Sequence, residues 1–353
     1  MIERKGLKMR GEIGSEFWDI PQAGENRLFP VGTAWFLSGR WALDFVLADL
    51  LTDFTGPHAA ALPSWCCETM IAPFLRHGFA VRFYPVLPDP FGGIRADFSR
   101  VADCGVLLAV DYFGCGHIPP PAGFQGTVIR DATHSLFAEP PEDGDYVFGS
   151  LRKWAGFWTG GYAWKRGGLF RLAPPEKAEE TYVSLRRRAM EEKREYLEER
   201  RRDKGHLERF AQAEELLDCK TEERGAAARD ISSARRLDVG LLRRRRRENA
   251  ALLLEGLSHM ALFPQLGERD CPLFVPILVP GEKRDALRRF LIDREIYCSV
   301  HWPVSGLHSL TEEERAFYGA ELSLVCDQRY GPAEMERTLA AIREFLKGED
   351  LEC

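Results

Sequence analysis

From residue 39 the chain alternates between two hydrophobic rhythms. "GRWALDFVLADLL" places Trp41, Leu43 or Phe45, Val46 with Leu47, and Leu50 with Leu51 on one broad face at spacings of three and four. That is the rhythm of a helix packed on a core. "AAALPS" is a short apolar strand ending at Pro63, "ETMIAPFLRHG" a helix closing at Gly78, and "AVRFYPV" a second strand. "VLLAVDYFG" and "GTVIRDATHS" are continuous apolar runs that finish in polar residues. Such runs suit parallel strands buried on both faces, whose carboxyl ends carry a site. The alternation predicts an α/β fold with a doubly wound, mostly parallel sheet over roughly residues 33–172.

Beyond this the rhythm changes. "EKAEETYVSLRRRAMEEKREYLEERRRDK" mixes acidic and basic residues along a run of strong helix formers. It predicts a solvent-facing helical insert over 176–225, and the mixed signs argue against a DNA-reading face. Arg243–Arg247 precede "ENAALLLEGL" and read as the solvated start of a helix over roughly 239–258. "CPLFVPILV", "KRDALRRFLIDREI", "YCSVHWPV" and "AEMERTLAAIREFL" then suggest a compact α+β unit. The expected organisation is an N-terminal arm (1–30), a large α/β domain (31–230) holding the insert, and a smaller α+β domain (231–353).

Composition narrows the class. Of 353 residues 45% are hydrophobic and 29% charged, enough for a large core, and the net charge of −6 gives no global attraction to nucleic acid or anionic membrane. No apolar stretch is long enough to span a bilayer. The 9 cysteines include no CxxC pair, and the charged start "MIERKGLKMRGEIG" lacks a signal-peptide core, so reduced thiols in a cytoplasmic protein are expected, with no metal site. Cys66 and Cys67 are adjacent, so on a strand at most one would face a site, and packing suits both.

The strand ends carry the candidate chemistry. Asp131 and His134 follow one hydrophobic strand, and Ser150 and Lys153 follow the next. Ser38 and Gly39 form a small-residue turn before a helix, where free N–H groups favour an anion. An acid, a lysine and an anion cradle are what pyridoxal phosphate (PLP) requires: an amine for the Schiff base, a carboxylate to keep the ring nitrogen protonated, and donors for the phosphate. Each residue alone has a plainer reading. Lys153 would be a snorkelling surface cation, Asp131 a helix N-cap, and His134 a satisfied core histidine.

In this order and spacing, "SGRWAL", "ALPSWCCETMIAPFLRHGFAVRFYPV", "IRDATHS" and "SLRKW…GG" resemble the DegT/StrS-type sugar aminotransferase family of fold-type I PLP-dependent enzymes. The likeness extends, more weakly, over "PLFVPILV", "IYCSVHWP" and "LSLVCDQRY". The resemblance implies that Lys153 forms the Schiff base and shuttles the substrate proton, that Asp131 pairs with the pyridinium, and that His134 lies near the ring oxygen. Ser150 and the backbone of Gly39, Arg40 and Trp41 would hold the phosphate, and Trp65 or Cys67 would cover the ring. His301 and Arg329 are candidate substrate contacts; a packed loop and an ordinary ion pair are their plainer readings.

The sequence departs from the family in four places. Arg40 stands where threonine or serine is usual, and Cys67 where an aromatic is common. The interval from Ser150 to Lys153 is shorter than usual, and "RGAAARDISSARRL" has no counterpart of the asparagine that a neighbouring subunit contributes. The resemblance implies a homodimer that moves an amino group from a small-molecule donor to a keto acceptor such as a nucleotide-linked sugar. A PLP-dependent lyase and a catalytically degenerate PLP-fold binding or regulatory protein are the competing functions.

Overall fold

Seven strands make the central sheet: β1 (Ala34–Phe36), β2 (Ala59–Pro63), β3 (Ala80–Tyr84), β4 (Val106–Val110), β5 (Thr127–Asp131), β6 (Tyr146–Ser150) and β7 (Gly161–Lys165). They are known from a computed structural model that describes residues 11–139, 143–218, 224–281 and 283–349. The order across the sheet is β1-β7-β6-β5-β4-β2-β3, and only β7 runs against its neighbours. β2 and β4 are buried along their whole length, as their unbroken apolar sequences require. The sheet is therefore the mostly parallel one expected.

Helix α1 (Gly39–Leu51) leaves β1 on one side of the sheet and packs across β6 and β7 before the chain enters β2 on the other side. Its amino end thus stands at the carboxyl end of β6, where Gly39 faces Ser150. The carboxyl ends of the strands are where ligands bind in open α/β sheets. Helix α2 (Glu68–Arg76) follows β2 and closes at Gly78, whose φ of +80° suits glycine.

The insert is two helices rather than one solvent-facing helix, α3 (Glu180–Leu197) and α4 (His206–Asp218), packed on each other. One face of α3 buries Tyr182, Arg186, Ala189, Met190, Lys193 and Tyr196. The charged residues are so numerous that they hide this stripe in the sequence.

Helices α5 (Ala228–Arg235) and α6 (Val239–Leu257) lead into the smaller α+β unit. There β8 (Phe274–Leu278) pairs antiparallel with β9 (Glu321–Val325), flanked by α7 (Lys283–Ile292), α8 (Glu312–Ala320) and α9 (Pro332–Glu349). Of "YCSVHWPV" only Tyr297 belongs to a strand; Ile296–Tyr297 pairs in parallel with Ile13–Gly14 of the N-terminal arm. The described part of the arm is therefore built into the small unit's core through Ile13, while residues 1–10 lie outside the description.

Arg246 corrects the solvated reading of the arginine run. Its side chain is fully buried on the apolar face of α6, and its guanidinium lies 4.5 Å from the Trp154 ring centre. It donates to Leu273 O at 2.8 Å and to Gln328 Oε1 at 3.0 Å. Cys66, Cys67, Cys104, Cys115, Cys271, Cys298 and Cys326 are free thiols, and Cys219 and Cys353 lie outside the described residues. No helix among the described residues is long and apolar enough to cross a membrane.

Candidate active site

Asp131 ends β5 and pairs in register with Phe148 of β6, so the two strands present Asp131, Ser150 and the turn after Ser150 at one edge. Residues 133–137 form turns, not a helix, and Asp131 Oδ1 accepts from Thr133 N at 2.8 Å. The carboxylate thus organises its own turn, in place of the helix cap its sequence position also allows. Past Ser150 a single 3₁₀ turn, Leu151–Lys153, swings the chain back over the sheet, and the Trp154 indole pins it by donating to Thr133 O at 2.8 Å. This turn brings Lys153 Nζ to 2.8 Å from His134 Nε2.

Burial dominates the protonation of all three groups. It raises the Asp131 carboxyl to about 6, against the opposing pull of the Thr133 hydrogen bonds and of Lys153. Burial also lowers the Lys153 amine, with Cys67 and Asp131 acting against it and Arg152 adding to it. For His134, burial and the nearby Lys153 and His301 push the imidazole well below its ordinary value, so it is neutral. With Nε2 accepting from Lys153, the proton is assigned to Nδ1, a buried atom with no partner among the described residues. The Trp302 ring stacks on His134 at 5.5 Å, and Phe113 packs against the same imidazole at 5.0 Å.

Lys153, His301 and Arg329 line one cavity of about 320 Å³ between the sheet and the small unit, together with Arg246, Phe274 and residues 14–17 of the arm. His301 sits in a buried relay. Ser323 Oγ donates to Glu321 Oε1 at 2.5 Å and lies 2.9 Å from His301 Nδ1, while His301 N donates to Glu321 Oε2 at 2.6 Å. A hydroxyl has one proton to give, so Ser323 accepts from Nδ1–H and His301 Nε2 is left as an acceptor. Arg329 is an ion pair, but a buried one, forked onto Asp327 at 2.9 and 2.8 Å. A larger cavity, of about 600 Å³, lies at the opposite ends of the strands around Phe54, Phe98 and Phe124; no lysine, arginine or histidine lines it.

At the amino end of α1, Gly39 approaches β6 so closely that a Cβ there would stand 3.3 Å from Ser150 Cβ. Ser38 is buried at the N-cap, and its hydroxyl caps nothing and has no partner among the described residues. Arg40 lies 3.9 Å from Glu214 of α4, and the Trp41 ring packs 4.0 Å beneath the Arg224 guanidinium. Trp65 is fully buried, stacked on Tyr112 at 4.8 Å and donating its indole N–H to His301 O at 2.7 Å. Cys67 is half-buried, its Sγ 2.8 Å from Thr69 Oγ1, and acts electrostatically on Lys153.

Three contributors were not singled out from sequence: Trp302, the Glu321–Ser323 pair and Arg246. Only Arg246 carries a sequence signal, since Leu242, Arg246, Asn249, Ala250 and Leu253 share one helical face. His117 bridges Asp111 and Asp143 at 2.9 and 3.1 Å and lines neither cavity.

No protein-family model matches the chain, and no curated protein does. Solved structures do. Spr1654 from Streptococcus pneumoniae in its PLP form is 14% identical, covering 96% of this chain and 99% of its own at a TM-score of 0.64. PseC from Helicobacter pylori, an aminotransferase involved in the biosynthesis of pseudoaminic acid, is 13% identical over 95% and 100%, at 0.61. A DegT DnrJ EryC1 StrS aminotransferase from Brucella abortus is 16% identical over 89% and 85%, at 0.58. The chain has the fold of these aminotransferases. Within that fold, the amino end of α1 meets the carboxyl end of β6 at Gly39 and Ser150, and Lys153 lies in the turn that follows.

Proposed function

We propose that this chain is a PLP-dependent aminotransferase of the DegT/StrS type, moving an amino group from an amino-acid donor to a keto acceptor, with a sugar as the acceptor class. One observation carries the reading: a half-buried lysine that lines a cavity, its amine lowered by its surroundings and hydrogen-bonded to a neutral histidine, with a buried aspartate acting on it. The fit of the cofactor is supported by the orphaned Ser38 hydroxyl and His134 Nδ1, two buried polar atoms that a polar ligand would satisfy. When bound, PLP supplies the electron sink that lets an amino group change carbon atoms.

The protein's own residues divide the remaining work. Lys153 would hold the cofactor, and its amine of lowered pKa suits it to carry a proton to and from the substrate carbon. Asp131, as a carboxylate in a buried site, favours a positive charge opposite it and so keeps a ring nitrogen protonated. His134 orients Lys153 Nζ, and Trp302 fixes the plane of His134. Ser38, Gly39, Arg40, Trp41 and Ser150 border the phosphate end, Cys67 borders Lys153, and Trp65 acts from beneath by holding His301 through its carbonyl. His301 Nε2 and Arg329 face the substrate's polar groups.

The test is spectroscopic. Protein mixed with PLP turns yellow and keeps the label after borohydride, a panel of amino-acid donors bleaches the colour as the amine form accumulates, and a keto-sugar restores it. Lys153→Ala loses covalent retention and at least about 10³-fold in turnover. A wild-type protein that stays colourless, or a Lys153→Ala protein that still retains cofactor after borohydride, overturns the reading. Colour that no donor bleaches points to the lyase chemistry instead.

A further inference from the structure

The sequence departs from its relatives' pattern at the phosphate end, and three arginines from separate elements gather there. Arg40 lies in the first turn of α1, Arg152 in the turn beside Lys153, and Arg186 on α3. All three point at the Glu214 carboxylate of α4. Arg152 Nη2 hydrogen-bonds Glu214 Oε1, Arg186 Nη1 lies 3.8 Å from the same oxygen, and Arg40 Nη2 lies 3.9 Å from Oε2. Glu16 of the arm is the second carboxylate, 3.4 Å from Arg186 Nη2.

The cluster has donors to spare. Arg186 is 1% exposed, yet its Nε and Nη1 make no hydrogen bond among the described residues; the same holds for Arg152 Nε and for the buried Ser38 hydroxyl at the head of α1. Leaving such donors unmet is costly. Glu214 itself is 41% exposed, so its carboxylate can rotate into solvent while Arg152 and Arg186, held by Tyr182 and Phe210, stay in place.

We propose that Glu214 is a displaceable internal stand-in for the phosphate of the cofactor. The phosphate takes its place among Arg40, Arg152, Arg186 and the amino end of α1, and Glu214 turns outward. The site then draws its cationic partners from one chain, in a protein whose sequence has no counterpart of the neighbouring subunit's asparagine. Burial alone would raise the Glu214 carboxyl, but Arg152, Arg186 and Arg40 outweigh it and hold it low. The competing group is therefore an anion at neutral pH, and the exchange is one anion for another. The proposal rests on the PLP reading of Lys153.

The experiment separates the two. Inorganic phosphate is titrated calorimetrically into cofactor-free protein, and PLP and phosphate-free pyridoxal are titrated by absorbance. Glu214→Gln binds phosphate at least about tenfold tighter than wild type and gains more affinity for PLP than for pyridoxal. Arg40→Gln loses about tenfold for phosphate and PLP, with pyridoxal unchanged within about twofold. Glu214→Gln that binds phosphate no tighter than wild type, or Arg40→Gln that weakens PLP and pyridoxal alike, overturns the proposal. Should Glu214→Gln fail to fold by circular dichroism, Arg40→Gln decides by the same criterion. A failure of the Lys153 reading would show differently, as absence of colour with both aldehydes while the phosphate titration still reports on the arginines.

Discussion

Asp131 illustrates how a functional residue burdens the fold. Its carboxyl is buried at the end of β5 and raised to about 6, against 3.8 for an ordinary aspartate. A carboxyl raised on folding contributes stability that is fully present below its unfolded pKa and is lost as pH rises through its folded pKa. For the cofactor-free protein the loss therefore runs from about pH 4 to pH 6 and amounts at neutrality to on the order of 3 kcal/mol. Asp131→Asn keeps the acceptor for Thr133 N without the charge. It is expected to raise Tm at pH 7–8, to leave Tm near pH 4 unchanged, and to weaken PLP retention. Thermal melts across this range check it, and a Tm difference independent of pH would contradict the assignment. The types of residue at this site were legible in the sequence, because Asp131, His134 and Lys153 follow apolar runs at strand ends. Their 2.8 Å meeting was not, since it depends on a 3₁₀ turn held by Trp154 across two strands.

At the level of elements, periodicity served where one rhythm ran unbroken. Helix α1 and strands β2, β4 and β5 occupy the segments their patterns mark. It served less well where charge masked burial. The arginine run at the start of α6 reads as solvated by composition, yet the position of Arg246 within the period places it inward, where it joins α6 to Trp154 and to the carbonyls before β8. Arg246→Met removes those donors and leaves Leu273 O and Gln328 unmet. We expect a loss of about 2–4 kcal/mol in urea denaturation, against less than about 0.5 kcal/mol for the exposed Arg244→Met. Equal effects at the two positions would show that Arg246 is not the link between the units. The helical insert follows the same logic: its composition announces helix, while its buried stripe became visible only when α4 packed against α3.

For the whole molecule the resemblance implies a homodimer, and we propose that the chain forms one. Val31 and Phe91 are 99% and 96% exposed, and Leu169 stands beside Gly32 at 69%, so apolar side chains lie on the surface of the single chain. Sedimentation equilibrium is expected to report near twice the chain mass of 40.1 kDa, and a single-chain mass at micromolar concentration would refute the dimer. By itself the sequence determined helices α1 and α2 and strands β2 to β5, that they alternate into a mostly parallel sheet, and which strand ends carry acid, imidazole and amine. Those properties follow from neighbours along the chain, where hydrophobic period and polar punctuation act. Only the tertiary structure decided that the arm closes the cavity, that Trp302 and the Glu321–Ser323 pair fix the two histidines, and that Glu214 faces three arginines. Those contacts join residues that lie far apart along the chain, and their energies depend on burial and charge that no local stretch of sequence contains.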